Sequence, residues 1–368
     1  MDSIIKSALI NAEREEQIRR DHFSRFSLNR KRGEEFGNAR ILVVGTGGGG
    51  NNTVNRLHNI GILGAETVAV NTDKQHLDIV RSAKKILIGK NLTKGLGAGG
   101  YPEIGRKAAE QAKQVFQKLF DGADLVFITA GMGGGTGTGS APIIAENAKE
   151  QGAVVIAIVT TPFYMEKARI SKAMEGLERL REACDTVIVL DNNRLVQFVP
   201  HLPIEQAFSV ADEIIAQSVK GIAETITIPS LINLDYADVK AVMVNGGVAM
   251  MGIGESNSQQ RVEDVVEKAL HSPLLDIDYR GATGALIHIT GGPDLTLGEA
   301  NRIGELITDQ LDPHAQVIWG ARISKEMEGS VRVVVIITGV HSSQILGPGT
   351  FYQKKPLKDE IGLDYIFV

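Results

Sequence analysis

Two glycine-rich segments carry the residue types in this chain that could do chemistry. The first, VVGTGGGGNN from Val43 to Asn52, contains Gly45, Gly47 and Gly50 in a G-x-G-x-x-G arrangement. The second, AGMGGGTGTGSAP from Ala130 to Pro142, places six glycines in the nine residues from Gly131 to Gly139. Backbone amides can close on a phosphate only where no Cβ intervenes, and a loop that opens a helix adds the positive end of the helix dipole. Neither segment ends in the Gly-Lys-Ser/Thr of a P-loop. Anionic charge must therefore be met by amide nests, helix ends and a bound cation rather than by a loop lysine. The hydroxyls of Thr136 and Thr138 add donors to the second loop.

The first loop alone is a weak signal, because glycines also occur where a helix packs tightly on a strand. A dinucleotide site would place an acid near the end of the next strand, and Asp73 in VAVNTD stands there, 28 residues past Gly45, against the usual ~20. NAD is thus a real competitor, and the second loop decides. One pyrophosphate does not need two bare-backbone loops, whereas a triphosphate does. Asn71-Thr72-Asp73, TKGLGAGGYP (93–102) and TTPFYMEKAR (160–169) also fall at strand ends on the same side, where ligands of doubly wound sheets bind. A mononucleotide site is the better reading.

The elements that must position these loops are short apolar runs alternating with helical stretches: ILVV (41–44), TVAV (67–70), ILI (86–88), DLVFIT (124–129), VVIAIVT (154–160) and TVIVL (186–190). Such runs indicate parallel strands buried on both faces, hence a doubly wound α/β sheet. A long helix is expected over about 203–226, followed by a helical run near 260–270. Strands at 285–290, 316–321 and 331–340, with a helix at 296–311 between them, indicate a second, smaller α/β domain. Residues 1–38 read as a charged helical extension, with nine Lys/Arg to seven Asp/Glu in the first 40 residues.

Composition narrows the class. The chain has 368 residues, is 43% hydrophobic and carries a net charge of −5, so no global basic field argues for nucleic acid. The single cysteine, Cys184, excludes an intramolecular disulfide and a cysteine-rich metal site. No apolar run approaches the roughly 18 to 20 residues of a membrane span, and a cytoplasmic protein without membrane insertion is expected.

In order along about 40–340, VVGTGGGGNN, AVNTD, LTKGLGAGG, GGGTGTGSAP, NLDYADVKAVM, SPLLD (272–276) and GATGALIHITGG (281–292) resemble the FtsZ family, the tubulin-like GTPases of cell division. The resemblance implies a tubulin/FtsZ-like α/β fold. Its parts would be an N-terminal extension (1–38), a GTP-binding domain (39–202), a central helix (203–228), a C-terminal activation domain (229–340) and a tail (341–368). It also implies GTP and GDP as ligands, with Mg2+ bound through the phosphates, and head-to-tail homopolymers that form a mid-cell ring. A tubulin-like filament for cell shape or DNA partition is the alternative.

Carried over by motif, Gly48, Gly49, Gly50, Asn51 and Asn52, with Gly135, Thr136, Gly137 and Thr138, would hold the phosphates. Asn71 and Asp73 would lie at the phosphate–ribose side, and Ala98, Gly99 and Gly100 would close over the γ-phosphate. Glu166 and Arg169 match the ribose-contacting acid and base, although the segment from Glu166 to Met174 is one residue shorter than the family pattern, and Asp191-Asn192 stands where Pro-Asn is common. Phe208 and Asp212, at i and i+4 on one helix face, would stack on guanine and accept from its N1 and N2 groups, with Asn52 reading another edge; taken alone, Phe208 reads first as core.

Read from its residues, Asn233-Leu-Asp235-Tyr-Ala-Asp238 is a helix start in which Asp235 caps and Asp238 favours the dipole. The resemblance implies instead that Asp235 and Asp238, supported by Asn233, cross a subunit interface to polarise water on a neighbour's nucleotide. The last residues, GLDYIFV, resemble the family's tail peptide, which would dock a membrane-anchor or other division protein; read from the residues alone they are equally a frayed chain end.

Overall fold

Strand β1 (Ile41–Thr46) is buried at every residue. Ile41 and Val43 enter one hydrophobic cluster and Leu42 and Val44 another, so the unbroken apolar run reflects a strand covered on both faces. The structure, a computed structural model, describes residues 39–227, 235–244, 246–270 and 279–340. The expectations for the extension 1–38, for Asn233, for SPLLD and for the tail lie outside the described residues.

Strands β2 (Ala65–Asn71), β3 (Lys84–Leu87), β4 (Leu125–Gly131), β5 (Val154–Thr161) and β6 (Thr186–Asp191) join β1 in a parallel array ordered β3-β2-β1-β4-β5-β6. Chain order reverses between β1 and β4, which is where a crevice opens beyond the strand ends. Helix α1 (Gly47–Ile60) leaves β1, and α2 (Lys74–Ile79) and α3 (Lys90–Thr93) flank β3. Helices α4 (Pro102–Gln111) and α5 (Lys113–Phe120) precede β4, α6 (Thr136–Glu150) follows it, and α7 (Lys167–Ala183) and α8 (Asn192–Phe198) flank β6.

The central helix α9 runs 24 residues from Ile204 to Thr227, about 36 Å at 1.5 Å per residue. Its Ala211, Ile215, Val219 and Ile222 recur at helical spacing. They belong to a core that also takes Phe127 and Ile156 of the first half and Met251, Leu286 and Ile336 of the second. One apolar stripe thus serves both halves. Polar contacts add to it: Arg322 donates to Glu224 at 2.8 Å, and His288 Nδ1 lies 2.6 Å from Thr225 Oγ1.

The second half holds α10 (Tyr236–Met243), β7 (Gly247–Ser256), α11 (Arg261–Leu270), β8 (Gly284–Gly291), α12 (Leu297–Thr308), β9 (Gln316–Ile323) and β10 (Val331–Thr338). β10 pairs antiparallel with β7 and β8, and β9 lies parallel to β8. Two features depart from the sequence expectation. β7 is an additional strand, hidden because glycines dilute its β-propensity; a Cβ at Gly252 would stand 1.7 Å from the Ala269 carbonyl of α11, and at Gly254 2.0 Å from that of Val265. The smaller sheet is also not separate, since β7 pairs in parallel with β6 over Thr186–Ile188, giving one ten-stranded sheet among the described residues. Edge pairing of this kind uses backbone groups and leaves little trace in side chains.

Candidate functional site

The two glycine loops end on adjacent strands, β1 and β4, and their helices begin against each other. Gly47 opens α1 with φ +72°, and a Cβ there would lie 2.7 Å from Gly137 N in the first turn of α6. A Cβ at Gly49 would lie 3.2 Å from Gly131. Glycine at these positions lets two helix N-termini converge to backbone contact. Neither start is neutralised from within: α1 and α6 have no side-chain cap and no acidic residue in the first turn. By contrast Asp73 and Asp191 cap α2 and α8. Paired uncapped N-termini present free amides and a positive end to an anion.

These starts form one wall of a cleft of about 970 Å³, within the range of small-molecule sites. The loop from Gly97 to Gly100 forms a second wall, with positive φ at Gly97, Gly99 and Gly100. It rests on the second glycine loop so closely that a Cβ at Gly135 would stand 2.8 Å from Ala98 Cβ and 2.9 Å from Tyr101 N. Lys172 of α7 ties this loop down, donating to the Gly100 carbonyl at 2.7 Å with its Nζ 5.5 Å from the Tyr101 ring centre.

Most expected residues line this cleft: Gly48, Gly49, Asn52, Asn71 and Asp73; Ala98, Gly99 and Gly100; Gly135, Thr136 and Gly137; and Glu166, Arg169, Phe208 and Asp212. Gly50, Asn51 and Thr138 do not. Gly50 packs on β4, its carbonyl accepting from Thr129 Oγ1 at 3.1 Å, and a Cβ there would lie 2.1 Å from the Thr129 carbonyl. Asn51 is fully buried, and neither atom of its amide has a partner among protein atoms. Thr138 accepts from Gly133 N at 2.8 Å and pins the loop from beneath. Once α1 has started at Gly47, Gly50 and Asn51 face the sheet, a consequence of helical phase that a motif read as a string does not convey.

At the far end of the cleft Phe208 keeps 40% of its surface exposed, which excludes simple core packing. Its ring sits edge-on to Phe163, centroids 5.6 Å apart, leaving a face for an aromatic ligand. One turn on, Asp212 accepts from Thr53 Oγ1 at 2.7 Å. Burial pushes its carboxyl up to about 6, against the lowering effects of Thr53 and the Arg56 charge. A raised folded-state value means the protonated form favours the fold, so stability is lost as pH rises through about 6. Asp212→Asn is therefore expected to raise the unfolding temperature at pH 7 and to leave it unchanged only below the carboxyl's ordinary value of 3.8, as a thermal melt series in pH would show. Glu166 and Arg169 pair at 2.6 Å, with Glu166 also accepting from Phe163 N. Thr53, His76 and Lys172, and the role of Phe163 within TTPFYMEKAR, escape sequence analysis because they are contacts between distant segments.

The two acidic residues at the start of α10 form a capping box: Asp235 accepts from Asp238 N at 2.7 Å, and Asp238 accepts from Asp235 N at 3.2 Å. The helix-start reading of the residues is thus realised. Neither carboxylate lines the cleft. Tyr236 beside them donates to the carbonyl of Asp124 at 2.9 Å, just before β4, whereas the cleft opens at the other end of that strand, at Gly131. Seven residues of β4 put about 20 Å between those ends.

Fold and cleft together define a tubulin/FtsZ-type protein. Residues 40–200 match the Tubulin/FtsZ family GTPase domain, and residues 247–341 match the FtsZ family C-terminal domain. The chain is 66% identical over 334 residues to cell division protein FtsZ 2 of Methanocaldococcus jannaschii, covering 90% of this chain and 88% of that one. It is 57% identical to FtsZ 2 of Halobacterium salinarum over 98% of this chain and 90% of the relative. A solved M. jannaschii FtsZ dimer without ligand superposes with a TM-score of 0.79 at 52% identity, over 87% of this chain and 92% of that one. The chain belongs to the FtsZ family. Among the described residues no helix is long and apolar enough to cross a membrane.

Proposed function

We propose that this protein is a cell-division GTPase that assembles head to tail into GTP-dependent protofilaments of a mid-cell ring, each subunit completing its neighbour's active site. The observation that carries this reading is the separation just described. The cleft lies beyond the carboxyl ends of the parallel strands, and Asp235 and Asp238 lie toward the opposite end. One copy cannot bring them together without unfolding its sheet, whereas stacking a second copy end-on can.

In this reading the uncapped starts of α1 and α6 hold the phosphates, the Ala98–Gly100 loop closes on the γ-phosphate, and Phe208 and Asp212 hold guanine. Glu166 and Arg169 face the ribose, and Asn71 and Asp73 the adjoining side. A Mg2+ ion accompanying the nucleotide would be held by phosphate oxygens and would neutralise charge in loops that carry no lysine. Asp235 and Asp238 of the incoming subunit, with Asn233, position and polarise the attacking water; phosphoryl transfer relies mostly on such positioning. Self-association fits the dimer of the M. jannaschii relative. Separate nucleotide-binding (39–202) and activation (229–340) domains on the central helix fit the two family-model matches.

The test is the dependence of turnover on protein concentration, measured together with GTP-dependent sedimentation. Turnover per subunit should rise with concentration and track the pelleted fraction. A turnover independent of concentration would count against a shared site. A filament for cell shape or DNA partition would behave alike in solution and differ in its position in dividing cells.

A further inference from the structure

His76 stands at the third position of α2, where its N–H bonds the capping carboxylate of Asp73 at 3.1 Å. Its ring lines the cleft between two asparagines: Nδ1 is 3.4 Å from Asn71 Nδ2, and Nε2 is 3.2 Å from Asn52 Oδ1. The direction of this chain of contacts follows from its anchored end. Asn71 Oδ1 accepts from the backbone N–H groups of Thr72 at 2.9 Å and Asp73 at 3.2 Å. Two N–H donors can converge only on an oxygen, so the Asn71 amide cannot turn over and its NH2 must face His76. A donor facing Nδ1 requires that nitrogen to be the acceptor, which leaves the proton on Nε2. Nε2–H then points at Asn52 and selects its oxygen. The Asn52 NH2, which has no protein partner among the described residues, is left as the donor facing the cleft.

We propose that His76 is a positioning residue for nucleobase choice, transmitting the fixed polarity of the Asn71 turn through its ring to Asn52, so that Asn52 presents a hydrogen-bond donor to the 6-position of a purine. A 6-oxopurine offers an acceptor there, whereas adenine offers an amino group that would meet the amide donor-to-donor. Asp212, held by Thr53 next to Asn52 in sequence, also lines the cleft and presents the complementary acceptor for ring N–H groups. Two readers of opposite polarity then address different edges of the base. Without the histidine, the Asn52 amide can rotate and offer adenine its oxygen at equal cost. The inference rests on the proposal that the cleft binds a guanine nucleotide.

The experiment is equilibrium binding of GDP, IDP and ADP to the full chain and to His76→Ala and His76→Gln, with thermal melts to verify folding. His76 is only partly buried on a surface helix, so both variants should fold. His76→Ala is expected to weaken GDP and IDP alike, roughly tenfold, the size of one hydrogen bond to an uncharged base edge. ADP should be unchanged or tighter. Glutamine carries both an acceptor for Asn71 and a donor for Asn52, and should restore most of the preference. Equal weakening of GDP and ADP, no change in either, or a glutamine variant that behaves like alanine would each overturn the relay. Wild-type protein without a preference for GDP over ADP would instead overturn the assignment of the cleft itself.

Discussion

Asp238→Asn should bind GTP as wild type does and hydrolyse it roughly 100- to 10,000-fold more slowly, the usual range for removing a group that positions or deprotonates the nucleophile. Asparagine is the informative replacement because of the capping box. Its side-chain oxygen can still accept from Asp235 N, so α10 keeps its start while the charge is removed. Asp238→Ala should show the same catalytic loss and in addition lose about 1 kcal/mol of stability with half of the box. Slower hydrolysis should also leave polymer that persists longer after a pulse of GTP, readable by light scattering. If Asp238→Asn keeps full turnover, the carboxylate is only a cap.

The second large effect is expected at Gly47. Alanine there must adopt φ +72° with its Cβ 2.7 Å from Gly137 N. The backbone conformation alone costs about 1–2 kcal/mol, and the contact forces the two helix starts apart. A displacement of about 1 Å at such a site can lower catalytic efficiency 100-fold, so turnover should fall by at least roughly that factor, and nucleotide binding should weaken as the paired N-termini separate. Gly61, the residue after α1, separates strain from contact, since it also has positive φ (+73°) but an added Cβ would meet nothing within 4 Å. Gly61→Ala should lower stability and leave nucleotide binding unchanged.

The two variants also test the shared site together. Gly47→Ala disables the cleft and leaves the α10 carboxylates intact, and Asp238→Asn does the reverse. Each alone should be nearly inactive, whereas an equimolar mixture should regain turnover as the first variant supplies carboxylates to the cleft of the second. Hydrolysis by carboxylates acting within their own chain predicts that the mixture stays inactive.

The loops VVGTGGGGNN and GGGTGTGSAP, the parallel strands that carry them and the long central helix are legible in the sequence because each depends on local chemistry. A glycine run allows close backbone approach, an unbroken apolar run reports burial on both faces, and a 3.6-residue spacing reports a helix. Even the capping role of Asp235 follows from two residues three apart. Tertiary structure decided what depends on convergence. It turned Gly50, Asn51 and Thr138 away from the cleft, since helical phase sets which side of α1 and α6 faces the sheet. It brought Thr53 against Asp212, Phe163 against Phe208, Lys172 against Gly100 and His76 against Asn52, each a contact between segments distant in sequence. It joined the two sheets through β6 and β7 by backbone hydrogen bonds that carry little side-chain signature, and it set Asp235 and Asp238 toward the end of the sheet opposite the glycine loops. Residue types and spacing determine which groups a chain can offer, whereas the packing of elements far apart in sequence determines which of them meet.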